Sequence, residues 1–247
     1  MKRERVTWVI RSPRIPEKLR LAVVSDLHAM PYEDVLEELL NCDAVLLPGD
    51  LVDRHRRNND LAGRFLKDVP EKVPVFYSVG NHEVKFHRPG LWREWLRESG
   101  ARLLDDEKCL FRGICLAGVS STLSGVPDQA FLDRLEKEEQ FTLLMCHQPE
   151  MYRDYVRGRK IDLTICGHAH GGQIQICGRG LYAPGQGLFP QITHGAHDGG
   201  RMIISRGMSN AAKPRIPRFG NPCELILLDL EPGEKRETWK KEGENER

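Results

Sequence analysis

Apolar runs of four to seven residues recur along the 247-residue chain, and most end abruptly on Asp, Asn or His. The first clear one is Leu19-Arg-Leu-Ala-Val-Val-Ser25, followed at once by Asp26 and His28. Asp43 to Pro48 is a second, ending at Gly49-Asp50, and Val73 to Val79 a third, ending at Gly80-Asn81-His82. Short runs rich in Val, Ile and Leu with polar tips predict buried strands. Between them, Glu33 to Asn41, Asp60 to Val69 and Leu91 to Ser99 carry apolar residues at helical spacing and predict helices. Trp92 and Trp95, three apart, are expected in the core.

The centre turns β-rich. Strands are expected at Lys108 to Arg112 and Ile114 to Val119, then a helix at Gln129 to Glu138. Phe141 to Cys146 predicts a strand ending at His147, Pro149 to Val156 a helix, and Ile161 to Cys166 a strand ending at Gly167-His168. Short strands follow at Gln173 to Cys177, Arg201 to Ser205 and Glu224 to Leu230. Strand, polar tip, helix is the rhythm of an α/β fold whose chemistry sits at strand C-termini. The expected architecture is a four-layer α/β/β/α sandwich, two mixed sheets flanked by helices, forming one domain over residues 1–230. Glu231 to Arg247 is charged with little to bury and is expected to be a frayed tail.

Composition narrows the function classes. Lys and Arg total 37 against 36 Asp and Glu, a formal net charge of +1, so nothing draws the whole chain to nucleic acid or an anionic membrane. The seven cysteines are scattered without a CxxC pair, which points to free thiols and a reducing compartment. The N-terminal MKRERVTWVIRSPRIP lacks an apolar stretch of signal or spanning length, so a cytoplasmic location without a membrane span is expected.

Five segments place metal-type donors just after apolar runs: Ser25-Asp26-Leu27-His28, Gly49-Asp50-Leu51-Val52-Asp53-Arg54, Gly80-Asn81-His82-Glu83, Cys146-His147-Gln148-Pro149 and Gly167-His168-Ala169-His170-Gly171-Gly172-Gln173. Any one alone is weak. Asn and Asp are common in turns after strands, but the five together argue for a shared site. In extended backbone, residues i and i+2 project to one side, so Asp26 with His28, and His168 with His170, are expected to reach a common cation. Carboxylate, imidazole and amide oxygen without thiolate suit Mn²⁺, Fe or Zn²⁺.

Over Leu19 to Leu230 these motifs resemble the calcineurin-like metallophosphoesterases. The Gly-His-Ala-His-Gly-Gly-Gln run and Ile203-Ile-Ser-Arg-Gly207 resemble one bacterial branch, many of whose members act on phosphodiesters or lipid-linked phosphates, and many of which carry an N-terminal anchor. Ala169 stands where that branch shows Thr. The resemblance implies two divalent metal ions, with Asp26, His28 and His170 on one, Asn81, His147 and His168 on the other, and Asp50 shared. It implies hydrolysis of a phosphodiester or phosphomonoester by a hydroxide bridging the metals. His82 would then act as proton donor to the leaving group, with a seventh ligand or a packing residue as its alternatives. Asp53 would orient His82, or else cap a helix. Arg54 would clamp phosphate together with Asn81, or else lie solvated at the surface. The implied substrate is a small-molecule or lipid-like phosphoester. A catalytically silent scaffold and a nuclease are the competing functions. The scaffold would lose ligands that are all present here, and the nuclease lacks a basic, aromatic-interleaved stripe. His55, His87, His194 and His197 fall outside the motifs and are expected to be exposed. The Gly- and Pro-rich stretch Gly180 to Gln191 is either a cover over the substrate or an irregular connection packed by Tyr182 and Phe189.

Overall fold

In a computed structural model, which describes residues 3–210 and 216–241, the alternation of apolar positions sorts the chain into layers. The strands in chain order are β1 (Glu4–Ser12), β2 (Leu19–Val23), β3 (Ala44–Leu47), β4 (Val75–Tyr77), β5 (Arg102–Leu103), β6 (Glu107–Phe111), β7 (Ile114–Val119), β8 (Thr142–Cys146) and β9 (Leu163–Cys166). They continue with β10 (Gln175–Ile176), β11 (Arg179–Gly180), β12 (Tyr182–Ala183), β13 (Gly187–Leu188), β14 (Gly195–His197), β15 (Met202–Ile204), β16 (Glu224–Pro232) and β17 (Glu237–Lys240). One seven-stranded sheet runs β17-β1-β16-β2-β3-β4-β5, and a six-stranded sheet runs β14-β15-β9-β8-β7-β6. β2, β3 and β4 are parallel, as are β7, β8, β9 and β15, while both sheets also contain antiparallel pairs.

Period-two burial makes the sandwich. Leu21, Val23, Ala44, Leu46 and Phe76 face the other sheet, where they meet Leu116, Leu143, Met145, Leu163 and Ile165. The intervening Ala22, Val45, Leu47, Val75 and Tyr77 face outward, covered by α1 (Asp60–Asp68) and α2 (Pro89–Glu98) through Phe65, Leu66, Trp92 and Leu96. On the far side Leu144, Cys146 and Cys166 are covered by Phe131, Leu132 and Leu135 of α3 (Gln129–Leu135). Each fully buried Leu of this kind contributes about 1.5–3 kcal/mol through removal from water. The four-layer architecture expected from the apolar runs is the one observed. Six of the seven cysteines are buried and act as small core hydrophobes.

Two segments depart from expectation. Glu4–Ser12, to which the hydrophobic pattern assigned no element, is a long strand parallel to β16. The segment from Glu231 is not frayed throughout: β16 continues to Pro232, and β17 pairs antiparallel with β1. An edge strand needs only one covered face, so Glu237 and Lys240 sit there without cost, and Trp239 stacks under the Arg11 guanidinium at 5.0 Å. The last part of the expected tail, residues 242–247, lies outside the described residues. Among the described residues, no helix is long and apolar enough to cross a membrane.

Candidate metal centre

The C-terminal ends of β2, β3 and β4 in one sheet and of β8 and β9 in the other open onto the same rim, and the loops leaving them are stitched together. Asp26 N–H donates to Gly49 O at 3.2 Å, and Gly167 N–H to His147 O at 2.9 Å. Across the sheets, the His168 N–H reaches the Asp26 carboxylate at 3.1 Å, and His147 Nδ1 lies 3.0 Å from Pro48 O. Gly49 is required at one of these close approaches: its φ is 110°, and a Cβ there would lie 2.6 Å from Gly80 Cα.

The donors converge, but not by the route expected. Asp26 and His28 do not share one face of an extended strand, because β2 ends at Val23. Both adopt left-handed backbone, with φ of 54° and 50°, as do Asp50, His168 and His170 at 56°, 67° and 49°. Non-glycine residues hold such φ only where the surroundings enforce it, and such clustering marks functional loops. Here a run of turns, rather than the pleat, aims the side chains.

Two groups of ligand atoms result. In the first, His28 Nε2 and His170 Nε2 are 3.4 Å apart and lie 3.8 and 3.7 Å from Asp26 Oδ1. In the second, His147 Nε2 is 3.1 Å from Asp50 Oδ2 and 3.2 Å from Asn81 Oδ1, and the His147 and His168 ring centroids are 5.1 Å apart. Asp26-His28-His170, His28-Asp50-His82 and Asp50-His147-His168 each bring their ligand atoms within 4.8 Å of one another, and every member is buried. His28 and Asp50 each belong to two of these sets. The seven predicted donors therefore lie together, and His82 lies close enough to Asp50 for its alternative reading as a ligand to stay geometrically open.

Electrostatics fit cation binding. Asp26 and Asp50 are fully buried, and among the described residues neither pairs with Lys or Arg. Burial works against their ionisation, yet the surrounding imidazoles outweigh it and hold both below the ordinary carboxylate range. Burial, with His82 and His147 as cationic neighbours respectively, pushes His28 and His168 down to about 3, so both are neutral and ready to ligate. Burial favours neutral His147 too, but Asp50 overrides it and raises His147 to about 10. A cluster of buried carboxylates and imidazoles compensated mainly by one another is what a divalent cation would complete. Outer contacts hold two of these rings: Pro48 O faces His147 Nδ1, and His170 Nδ1 lies 3.2 Å from both Ser209 O and the Arg218 guanidinium, with both Nε2 atoms directed inward.

His82 stands beside this cluster, its ring centroid 4.5 Å from that of His28. Its Nδ1 is 3.5 Å from Asp53 Oδ1 and 3.2 Å from the Arg54 backbone nitrogen. Burial disfavours its charged form, but Asp50 and Asp53 outweigh that and raise its pKa. Asp53 does not cap a helix, since α1 starts only at Asp60, with Asn59 as its flanking residue. Instead Asp53 accepts the His55 N–H at 2.9 Å and pairs with Arg56 at 3.3 Å. Arg54 is half-buried and lines the cavity above the cluster, with Nε donating to His55.

That cavity, about 350 Å³, is walled by Asp50, Arg54, Asn81 and His82 on one side and by Gln148, Gln173, Tyr182, Pro184 and Gly185 on the other. Gly180 to Gln191 thus contributes a wall, through the β12–β13 hairpin. Tyr182 is half-buried, whereas Phe189 is 76% exposed. His55 and His87 are exposed as expected, while His194 and His197 are half-buried. Ala169 is fully buried in the core under the second sheet. The hydrophobic pattern missed Lys85, Gln148 and Tyr182 as lining residues. It also gave no task to Glu83, whose buried carboxylate accepts N–H bonds from Asp50 (2.9 Å), Val52 (3.1 Å) and Gly80 (2.8 Å). A glutamate directly after the Asn81-His82 pair was the available signal.

Residues 19–172 match the sequence model of the calcineurin-like phosphoesterase family, and the chain belongs to that family. An uncharacterized metallophosphoesterase of Aquifex aeolicus is 24% identical over 90% of both chains. One from Campylobacter jejuni is 26% identical over 90% of this chain and 61% of that protein. Escherichia coli phosphodiesterase YaeI is 28% identical over 63% of this chain and 57% of its own length. A solved crystal structure superposes with a TM-score of 0.51 at 11% identity, covering 91% of this chain and 99% of the other, and so shares the fold.

Proposed function

We propose that this chain hydrolyses phosphoesters with two divalent cations, one held by Asp26, His28 and His170, the other by Asn81, His147 and His168, with Asp50 shared. The carrying observation is that buried Asp26-His28-His170 and Asp50-His147-His168 sets adjoin at the end of one open cavity. When bound, such cations neutralise phosphoryl charge and acidify water enough to supply a nucleophile near neutral pH. Mn²⁺, Fe and Zn²⁺ suit this donor set.

The protein's own groups divide the remaining work. His82, its charged form favoured by Asp50 and Asp53, gives its proton to the leaving oxygen, a contribution of about 10²–10⁴-fold for general acids. Asp53 aims that imidazole through Nδ1. Arg54, on the cavity wall with Asn81, meets the non-bridging phosphate oxygens with its planar fork. The phosphodiesterase name of the Escherichia coli relative favours a diester substrate, small or lipid-like in its alcohol part.

The test is purified protein stripped of metal and refilled separately with Mn²⁺, Fe²⁺ or Zn²⁺, assayed on bis-p-nitrophenyl phosphate, p-nitrophenyl phosphate, cyclic nucleotides and nucleotide-sugar lipids. Metal-dependent turnover of a diester is expected. No turnover on any substrate with any metal would support a silent scaffold instead.

A further inference from the structure

From His168 to Gln173 the backbone is left-handed at five of six residues: His168 (67°), His170 (49°), Gly171 (62°), Gly172 (76°) and Gln173 (56°). Such a run does not hold itself, and three of the five carry a Cβ that makes the conformation unfavourable. One buried side chain from a distant segment grips it. Asn221, 2% exposed, donates Nδ2–H to His170 O at 2.7 Å and to Gln173 O at 3.0 Å. Its Oδ1 accepts from Gln175 Nε2 at 3.3 Å, and that same amide donates to Gly171 O at 2.7 Å. Packing is tight enough that a Cβ at Gly171 would overlap Asn221 Oδ1.

Asn221 lies outside the family-matched residues 19–172, is absent from the cavity lining and belongs to no ligand motif. Its two donor bonds nevertheless end on the carbonyl of His170 itself and on the far end of the same turn. His168 is fixed differently, by its own N–H on the Asp26 carboxylate. The Asn221 grip therefore bears on His170 more than on His168.

Resting on the two-cation reading above, we propose that Asn221 is a positioning residue for one cation only. By holding the carbonyls of His170 and Gln173 it aims His170 Nε2 at Asp26 and His28, and so sets affinity at that cluster and not at Asp50-His147-His168. Outer partners of metal-binding histidines typically change affinity by about 10–100-fold when lost.

The experiment titrates Mn²⁺ into metal-stripped full-length protein by calorimetry, for wild type, Asn221→Asp and Asn221→Ser, with His170→Ala as the reference for loss at one cluster. Asn221→Asp keeps the shape but turns a carboxylate oxygen toward two carbonyls. Two ions are expected on wild type. On Asn221→Asp one of the two is expected to weaken at least about tenfold, in the pattern of His170→Ala, while the other is unchanged. Asn221→Ser shows a smaller loss at the same ion, and decides the matter if Asn221→Asp fails to fold. Wild-type affinity for both ions in a folded variant would overturn the proposal. Equal weakening of both would also overturn it, by showing a general structural role. A wild-type chain that takes up no ion would sink the two-cation reading itself, which is a separable result.

Discussion

His28 and His170 are 142 residues apart in sequence, yet their Nε2 atoms face each other at 3.4 Å over the Asp26 carboxylate. Two imidazole N–H groups cannot point at one another at that distance, so one nitrogen at least is a bare acceptor. Burial with neighbouring cationic imidazoles keeps His28 neutral down to about pH 3. Elemental analysis is accordingly expected to find two divalent ions per chain, and a strong chelator to remove them with a fall in melting temperature. At a free metal concentration of 100 times Kd the linkage is worth about 2.7 kcal/mol. For a chain of this size that corresponds to a shift of roughly 5–10 °C, read by scanning calorimetry. A melting temperature indifferent to chelator would exclude a native-state site.

The two acidic roles separate by metal content. Asp50→Asn removes the carboxylate common to two ligand sets, and is expected to lower both bound metal and turnover by orders of magnitude. His82→Asn is expected to cut turnover by about 10²–10⁴-fold while leaving two ions in place. Metal analysis beside steady-state kinetics distinguishes them. An ion lost from His82→Asn would make that histidine a ligand.

How the site could be read beforehand depends on the kind of segment involved. Strands β3, β4, β8 and β9 are buried along their whole length, and β2 is buried except at Arg20, so each is a largely apolar run whose end is obvious, and the donors follow at that end. β1 and β17 escaped notice for the opposite reason. They lie toward the sheet edge, where Arg5, Arg11 and Glu237 are tolerated, so burial leaves a faint trace in the sequence. The left-handed turns at Asp26, Asp50 and His168 were illegible, because tertiary hydrogen bonds impose them on residues with no local need for positive φ. Glu83 and Asn221 were missed because their partners are backbone groups, which leave no side-chain signature.

A pH profile tests the His82-Asp53 pair. The Asp50 and Asp53 carboxylates outweigh burial and raise the His82 pKa. A general acid works while protonated, so kcat is expected to hold at low pH and fall as pH rises through that raised value. Asp53→Asn removes one of the two raising charges. The alkaline limb is then expected to move to lower pH, with kcat at high pH falling more than at low pH. An unmoved limb would mean that Asp53 does not act through His82.

Glu83 ties the Asp50 loop to the Asn81 turn. Its buried carboxylate accepts three backbone N–H groups, from Asp50 and Val52 on one loop and Gly80 on the other. Burial and the nearby Asp50 raise its pKa, while the same amides pull the other way. Glu83→Gln keeps the volume but turns an NH₂ toward at least one donor, leaving buried N–H groups unsatisfied at about 1–3 kcal/mol each. A loss of roughly 3 kcal/mol in urea unfolding is expected from that same desolvation cost. Activity is expected to drop further than stability alone explains, because Asp50 and Asn81 lose their common anchor. Should Glu83→Gln unfold at the wild-type urea midpoint, the carboxylate is not what holds these two loops in register.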